Sequence, residues 1–191
     1  MKIVVATKNQ GKLKEFKRIL EPMGFTVVSQ LDCGVDGQAE ENGTTIEENA
    51  RLKARYIFER TGEITIADDS GICVDALGGR PGVHSARYCG VHGDDEANNQ
   101  LLLKELEEVA EPRTARYECA VALCAPGRED VVGEGACEGE ILRQYQGEGG
   151  FGYDPLFLSH DLGVTFAQAD AAAKNAVSHR ARAIADLLKK L

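Results

Sequence analysis

Gly147-Glu148-Gly149-Gly150-Phe151-Gly152-Tyr153-Asp154-Pro155 is the stretch on which the fold turns. Its first six residues fit G-x-G-x-x-G, the spacing that in dinucleotide-binding folds follows a strand and opens a helix. Here Asp154-Pro155 and an apolar β run follow instead, so no helix opens and the dinucleotide-binding reading is rejected. Tyr153 to Leu158 is expected as a strand, with Pro155 suited to an edge or an end. The glycines then serve another purpose: they let backbone pack closely on a flat ligand, with Phe151 as a stacking surface.

The rest of the chain alternates strands and helices. Lys2 to Thr7 is an apolar, β-branched run and is expected as a buried strand. Leu13, Phe16 and Leu20 recur at helical spacing, and Pro22 with Gly24 closes that helix. Phe25 to Leu31 is a second strand. Thr44-Thr45-Ile46-Glu47-Glu48 holds two overlapping capping boxes, Thr44 with Glu47 and Thr45 with Glu48, at the start of a helix that Gly62 ends. Glu63 to Asp68 is expected as a strand ending on its acids, Ile72 to Leu77 as a short separate one, and Gly78 to Gly93 as loop. Asp94 to Ala110 is a third helix. Thr114 to Ala125 and Val131 to Leu142 are long strands joined through Pro126-Gly127 as an antiparallel hairpin. Val177, Ala181, Ile184, Leu188 and Leu191 form the stripe of a last helix, with Ser178 as N-cap. The expected class is α/β, a mixed sheet flanked by helices. No linker or repeat marks a boundary, so residues 1–191 are read as a single domain.

Composition narrows the function. The 191 residues are 43% hydrophobic, enough for a core, and the formal net charge is −9. A general nucleic-acid binder needs a basic face to displace counterions, so nucleic acid is not an expected partner. A phosphate substrate remains compatible, because a divalent cation and a few focused lysines reverse the local sign. No apolar stretch is long enough for a signal peptide or a membrane span, and no membrane partner is expected. The six cysteines lack metal-site spacing and read as reduced, mostly buried thiols of a cytoplasmic protein.

Four polar clusters carry the candidate chemistry. Thr7-Lys8-Asn9-Gln10-Gly11-Lys12 lies where the first strand becomes the first helix, and a helix N-terminus favours phosphate. It is not a Walker A loop, because Leu13 stands where Ser or Thr is required. Asp68-Asp69-Ser70-Gly71 places two adjacent acids, whose oxygens suit a hard cation such as Mg²⁺. Side chains alternate along a strand, so one acid is read as reaching a metal while the other orients water. Lys53 shares a helix face with Asn49. Ser178-His179-Arg180 puts two cations in a helix's first turn, against the dipole, which invites a functional explanation.

Taken together these residues resemble the inosine triphosphate pyrophosphatase family, the dITP/XTP pyrophosphatases. The carrying motifs are Ala6 to Lys12, Glu40 to Gly43 with Glu48-Asn49-Ala50 and Leu52-Lys53-Ala54, Ala67 to Gly71, Pro81-Gly82 with Ser85 to Tyr88, Gly149 to Asp154, and Ser178-His179-Arg180. The resemblance implies a homodimer whose chains each hold a long, twisted mixed sheet and two lobes around a central cleft. It implies hydrolysis of ITP, dITP, XTP and dXTP to monophosphate and pyrophosphate, with Mg²⁺ as cofactor. It assigns Asp69, Lys53 and Asp68 to catalysis, Asp69 as proton acceptor, and Glu41 with Asp69 to the metal. It assigns Thr7, Lys8, Asn9, Gln10, Gly11, Lys12, Ser70, Phe151, Gly152, Tyr153, Asp154, Lys174, His179 and Arg180 to the nucleotide. His84 stands where the family often has tyrosine, and Ala181 where glycine often follows. A nucleotide sensor without turnover and a pyrophosphatase for another nucleotide are the alternatives. The presence of both Asp69 and Glu41 favours hydrolysis over sensing.

Overall fold

A computed structural model describes residues 1–191. Six strands lie in one mixed sheet: β1 (Lys2–Val5), β2 (Thr26–Ser29), β3 (Thr65–Val74), β4 (Thr114–Cys124), β5 (Val131–Ile141) and β6 (Phe157–Ser159), in the order β2-β1-β3-β4-β5-β6. β1 pairs in parallel with both β2 and β3, and β5 pairs antiparallel with β6. Five α-helices accompany it: α1 (Gln10–Leu20), α2 (Ile46–Thr61), α3 (Asp95–Glu105), α4 (Ala171–Val177) and α5 (His179–Lys189). No helix is long and apolar enough to cross a membrane. All six cysteines are free, and Cys73, Cys119, Cys124 and Cys137 are buried.

The chain divides into two compact units, Met1–Asp69 with Cys119–Gly135 and Arg180–Leu191, and Ser70–Glu118 with Ala136–His179. In the first unit the two-residue period of the strands sorts the core. Ile3, Val5, Ile66, Cys119, Val121 and Leu123 face one way and pack with Leu13, Phe16 and Leu20 of α1 and Ala183, Ile184 and Leu187 of α5. Val4, Ala6, Ala67, Ala120, Ala122 and Cys124 face the other way and pack with Ala50, Ala54 and Ile57 of α2. In the second unit Ile72, Val74, Tyr117, Ile141, Phe157 and Phe166 gather with Leu102 of α3 and Leu106.

Several local expectations change. β3 does not stop at its acids; it runs unbroken through Asp68-Asp69-Ser70-Gly71 to Val74, so the aspartates are strand-interior residues, 2% and 7% exposed. Of the two capping boxes only Thr45 with Glu48 forms; the Glu48 carboxylate also accepts from Thr44, while Glu47 pairs with Arg51. The loop from Gly78 to Gly93 contains a 3-10 helix, Gly82–Arg87. The strand expected from Tyr153 begins only at Phe157, leaving residues 151–156 as turn. Ser178 is the C-cap of α4, a short helix with Asp170 as N-cap that the sequence reading passed over. The buried positions of α5 are His179, Arg180, Ala183, Ile184 and Leu187, so an imidazole and a guanidinium precede the apolar stripe, and Leu191 is exposed.

Candidate active site

The same strand alternation distributes the two aspartates of the first unit. Asp68 continues the face of Ile66, toward α1 and α5; Asp69 continues the face of Ala67, toward α2. Asp68 Oδ2 accepts from Arg180 Nε (3.1 Å) and Nη2 (2.7 Å), and Lys12 Nζ lies 3.0 Å from the same oxygen. Arg180 Nη1 donates to the buried carboxylate of Glu15 on α1. Burial opposes the Asp68 charge, but Arg180, Lys12 and Lys53 outweigh it and hold its carboxyl far below the usual range. Burial likewise opposes the Arg180 charge, and Asp68 and Glu15 overcome it.

On the α2 side, Lys53 Nζ donates to Asp69 Oδ1 (2.7 Å) and to Glu41 Oε2 (3.2 Å). Asn49, fully buried and one helical turn before Lys53, places Nδ2 3.5 Å from Asp69 Oδ2 and accepts from Gly43 N–H through Oδ1 (2.9 Å). Burial pushes the Asp69 carboxyl up, against the opposing pull of Lys53 and Lys12. Lys53 loses charge stability to burial but regains more from Asp69, Glu41 and Asp68. Both carboxylates therefore feel both lysines.

The segment before α1 is ordered by its own side chains. Asn9 is the N-cap and accepts from Lys12 N–H (3.0 Å), and Asn9 N–H donates to Thr7 Oγ1 (3.1 Å). Gln10 and Gly11 open the helix, which aims Lys12 at Asp68. Lys8 pairs with Asp36 at 2.7 Å.

Fit to a divalent cation rests on the donor set. Glu41 and Asp69 converge on one ammonium, so their oxygens already share a cationic centre. No group of three or more His, Cys, Asp or Glu side chains forms a ready cage. Two carboxylates without a cage suit Mg²⁺, which binds through one or two carboxylates plus substrate phosphates and keeps several waters.

The second unit holds a different cluster. Lys174 Nζ donates to Asp154 Oδ2 at 2.7 Å and lies 4.7 Å from the centroid of the Phe151 ring and 5.4 Å from that of Phe166. Asp154 also accepts from Phe151 N–H (3.1 Å) and Tyr117 Oη (3.3 Å). His179 stacks on Tyr117 at 4.6 Å and 10°. A Cβ on Gly150, whose φ is +73°, would sit 2.2 Å from Asp154 Oδ2, so only glycine fits this turn. Ser70 opens this unit within β3 and is half-buried.

Three residues that the resemblance assigns to the nucleotide also make defined contacts within the chain. Arg180 donates to Asp68 and Glu15. Tyr153 turns its ring into the core and donates its hydroxyl to the Ser85 carbonyl (2.7 Å). Asp154 is 2% exposed and its carboxylate orients Lys174 and Phe151. Glu15, Tyr117 and Phe166 escaped the sequence reading, because an acid on a helix and aromatics in strands or loops carry no local signal of their partners. A cavity of about 430 Å³ lined by Arg55, Phe58, Arg128 and Asp130 contains none of these residues.

A model of the Ham1 family matches residues 3–190. A Bacillus licheniformis protein named dITP/XTP pyrophosphatase is 53% identical over 190 residues, covering 99% of this chain and 95% of that protein. The structure of the Staphylococcus aureus Ham1 protein superposes with a TM-score of 0.85 at 40% identity, covering 100% of this chain and 97% of that one. A HAM1 protein from Coxiella burnetii gives 0.87 at 36% identity, with 100% of both chains covered. The fold, the full-length match and the identity agree, and this chain belongs to the Ham1 family.

Proposed function

We propose that this protein is a hydrolase of phosphoric anhydrides that converts ITP, dITP, XTP and dXTP to monophosphate and pyrophosphate, keeping deaminated purines out of DNA and RNA. The observation that carries the reading is the pairing of Lys53 with both Asp69 and Glu41 beside the Lys12–Asp68–Arg180 network. Hydrolysis at a polyphosphate requires charge neutralisation and positioning more than a covalent intermediate, and this cluster supplies both.

In the proposed reaction a water oxygen bonds to the α-phosphorus, the bond to the bridging oxygen of the β-phosphate breaks, and pyrophosphate leaves. Asp69 accepts the water's proton; its raised carboxyl pKa makes it a better base than an exposed aspartate. Lys12, Lys53 and the segment Thr7 to Gly11, Lys8 included, hold the phosphates. Asp68 keeps Lys12 in place, and Arg180 with Glu15 keeps Asp68 in place. Mg²⁺, held by Glu41 and Asp69, would neutralise polyphosphate charge.

Phe151 and Gly152 offer a stacking surface for the base, Lys174 and His179 supply hydrogen-bond donors, and Ser70 is assigned to the nucleotide by the resemblance. Donors accept the 6-keto oxygen of hypoxanthine or xanthine and disfavour adenine, whose amino group leaves them unpaired at a cost of about 1–3 kcal/mol each. The relatives' name, dITP/XTP pyrophosphatase, and the donor chemistry support this reading. The proposal extends further: the resemblance supports a homodimer, the absence of a linker supports one working domain over residues 1–191, and the free cysteines and the net charge of −9 support a cytoplasmic protein without a nucleic-acid partner.

The test is pyrophosphate release from dITP, XTP, dATP and dGTP with Mg²⁺ and again with EDTA. The expected result is much faster release from dITP and XTP, abolished by the chelator. Equal rates on all four nucleotides would overturn the specificity, and full activity in EDTA would overturn the metal assignment.

A further inference from the structure

The buried face of α3 carries two asparagines beside Leu102, where a helix of this kind is usually apolar. Asn98 and Asn99 are 2% and 4% exposed, and both side chains bind backbone of irregular segments. Asn98 Oδ1 accepts from Cys89 N–H (2.8 Å) and its Nδ2 reaches the Ala86 carbonyl (3.4 Å). Asn99 Nδ2 donates to the Gly152 carbonyl (2.9 Å). One turn earlier on the helix, Asp95 Oδ2 accepts from Gly152 N–H (2.8 Å). Both polar groups of a single glycine are thus held by residues four apart on α3. Gly152 has φ +61°, a conformation that glycine adopts freely but that needs external partners to become unique.

We propose that Asp95 and Asn99 are specificity-determining positioning residues that clamp Gly152 and thereby fix the Phe151 ring beside the Lys174 ammonium. The inference rests on the base-recognition half of the proposed function. With the Gly152 peptide fixed at both its amide and its carbonyl, Phe151 has one orientation, which Asp154 completes from the other side through Phe151 N–H. Without the clamp, the turn at 151–152 samples more than one backbone state and the stacking surface loses its definition.

Asn99→Ala, Asn99→Asp and Asp95→Ala test it. Asn99→Asp keeps the shape but sets a carboxylate oxygen against the Gly152 carbonyl. The expected result is a rise in KM for dITP of about five- to tenfold with kcat within about twofold, the loss of roughly one hydrogen bond. Binding of inosine monophosphate should weaken by the same factor, while inhibition by inorganic pyrophosphate stays unchanged. Asn99→Asp should be the most impaired variant, with far-ultraviolet circular dichroism like that of the wild type. Two results overturn the inference: variants whose KM and inosine monophosphate affinity match the wild type, or variants that lose pyrophosphate inhibition in parallel. If the wild type itself fails to separate dITP from dATP, the base-recognition reading falls instead, which distinguishes the two failures.

Discussion

The two units of this protein bury ion pairs for different ends. The first sets three cations, Lys12, Lys53 and Arg180, against four carboxylates, Glu15, Glu41, Asp68 and Asp69. That arrangement carries one more negative than positive charge, so an added cation is electrostatically welcome there. The second unit buries the pair Lys174 with Asp154 among aromatic rings. Its neighbours are flat aromatic surfaces. The network shifts the titration of its carboxylates; the second pair fixes the position of one ammonium. The two clusters are contiguous along the chain, because the division between units falls at Asp69–Ser70 and at His179–Arg180.

The largest expected effect breaks the network. Arg180→Met leaves Asp68 and Glu15 buried without their guanidinium, and the expected loss of stability is about 3–5 kcal/mol by urea denaturation. The sign with pH follows from the depressed Asp68 carboxyl. A group whose folded pKa is lowered contributes stability above its unfolded value, about 3.9, and loses it as pH falls through the folded value. The gap between wild type and variant should be constant above about pH 5 and narrow in acid. A loss under about 1 kcal/mol would show that the network does not hold the first unit.

Lys174→Met tests the second unit with a side chain of similar volume. It should lower kcat/KM for dITP by about tenfold and leave dATP hydrolysis nearly unchanged, so the dITP-to-dATP selectivity ratio falls. An equal drop for all substrates would place Lys174 with the chemistry instead. Gly150→Ala sharpens the same point more gently. Its Cβ displaces the Asp154 carboxylate, and a rise in dITP KM of about fivefold is expected, roughly 1 kcal/mol, with kcat preserved. The smallest effect serves as a control. Glu48→Ala removes its share of the Thr45 capping box and should cost about 1 kcal/mol in thermal unfolding without altering selectivity.

Much of this was legible in the sequence where the information is local. α1 and α2 followed from period and caps, because Leu13, Phe16, Leu20 and the Thr45–Glu48 box act within a few residues of themselves. β4 and β5 followed from their length and the Pro126-Gly127 turn. What escaped was set by distant partners. Asp68 and Asp69 read as a strand end because acids rarely sit inside strands, yet Arg180, 112 residues away, makes Asp68 tolerable there. The same pairing hid the start of the α5 stripe, since Arg180 occupies a core position only through Asp68 and Glu15. The Asn99 clamp was invisible for the same reason: its acceptor lies 53 residues on.

The central claim is that the first unit performs the hydrolysis while the second chooses the base. The most direct measurement is kcat/KM for dITP and for dGTP in Asp69→Asn. The account predicts that both fall by about a thousandfold, the loss of a general base, while their ratio stays within about twofold of the wild type. Near-normal turnover, or a ratio that collapses toward unity, would contradict it.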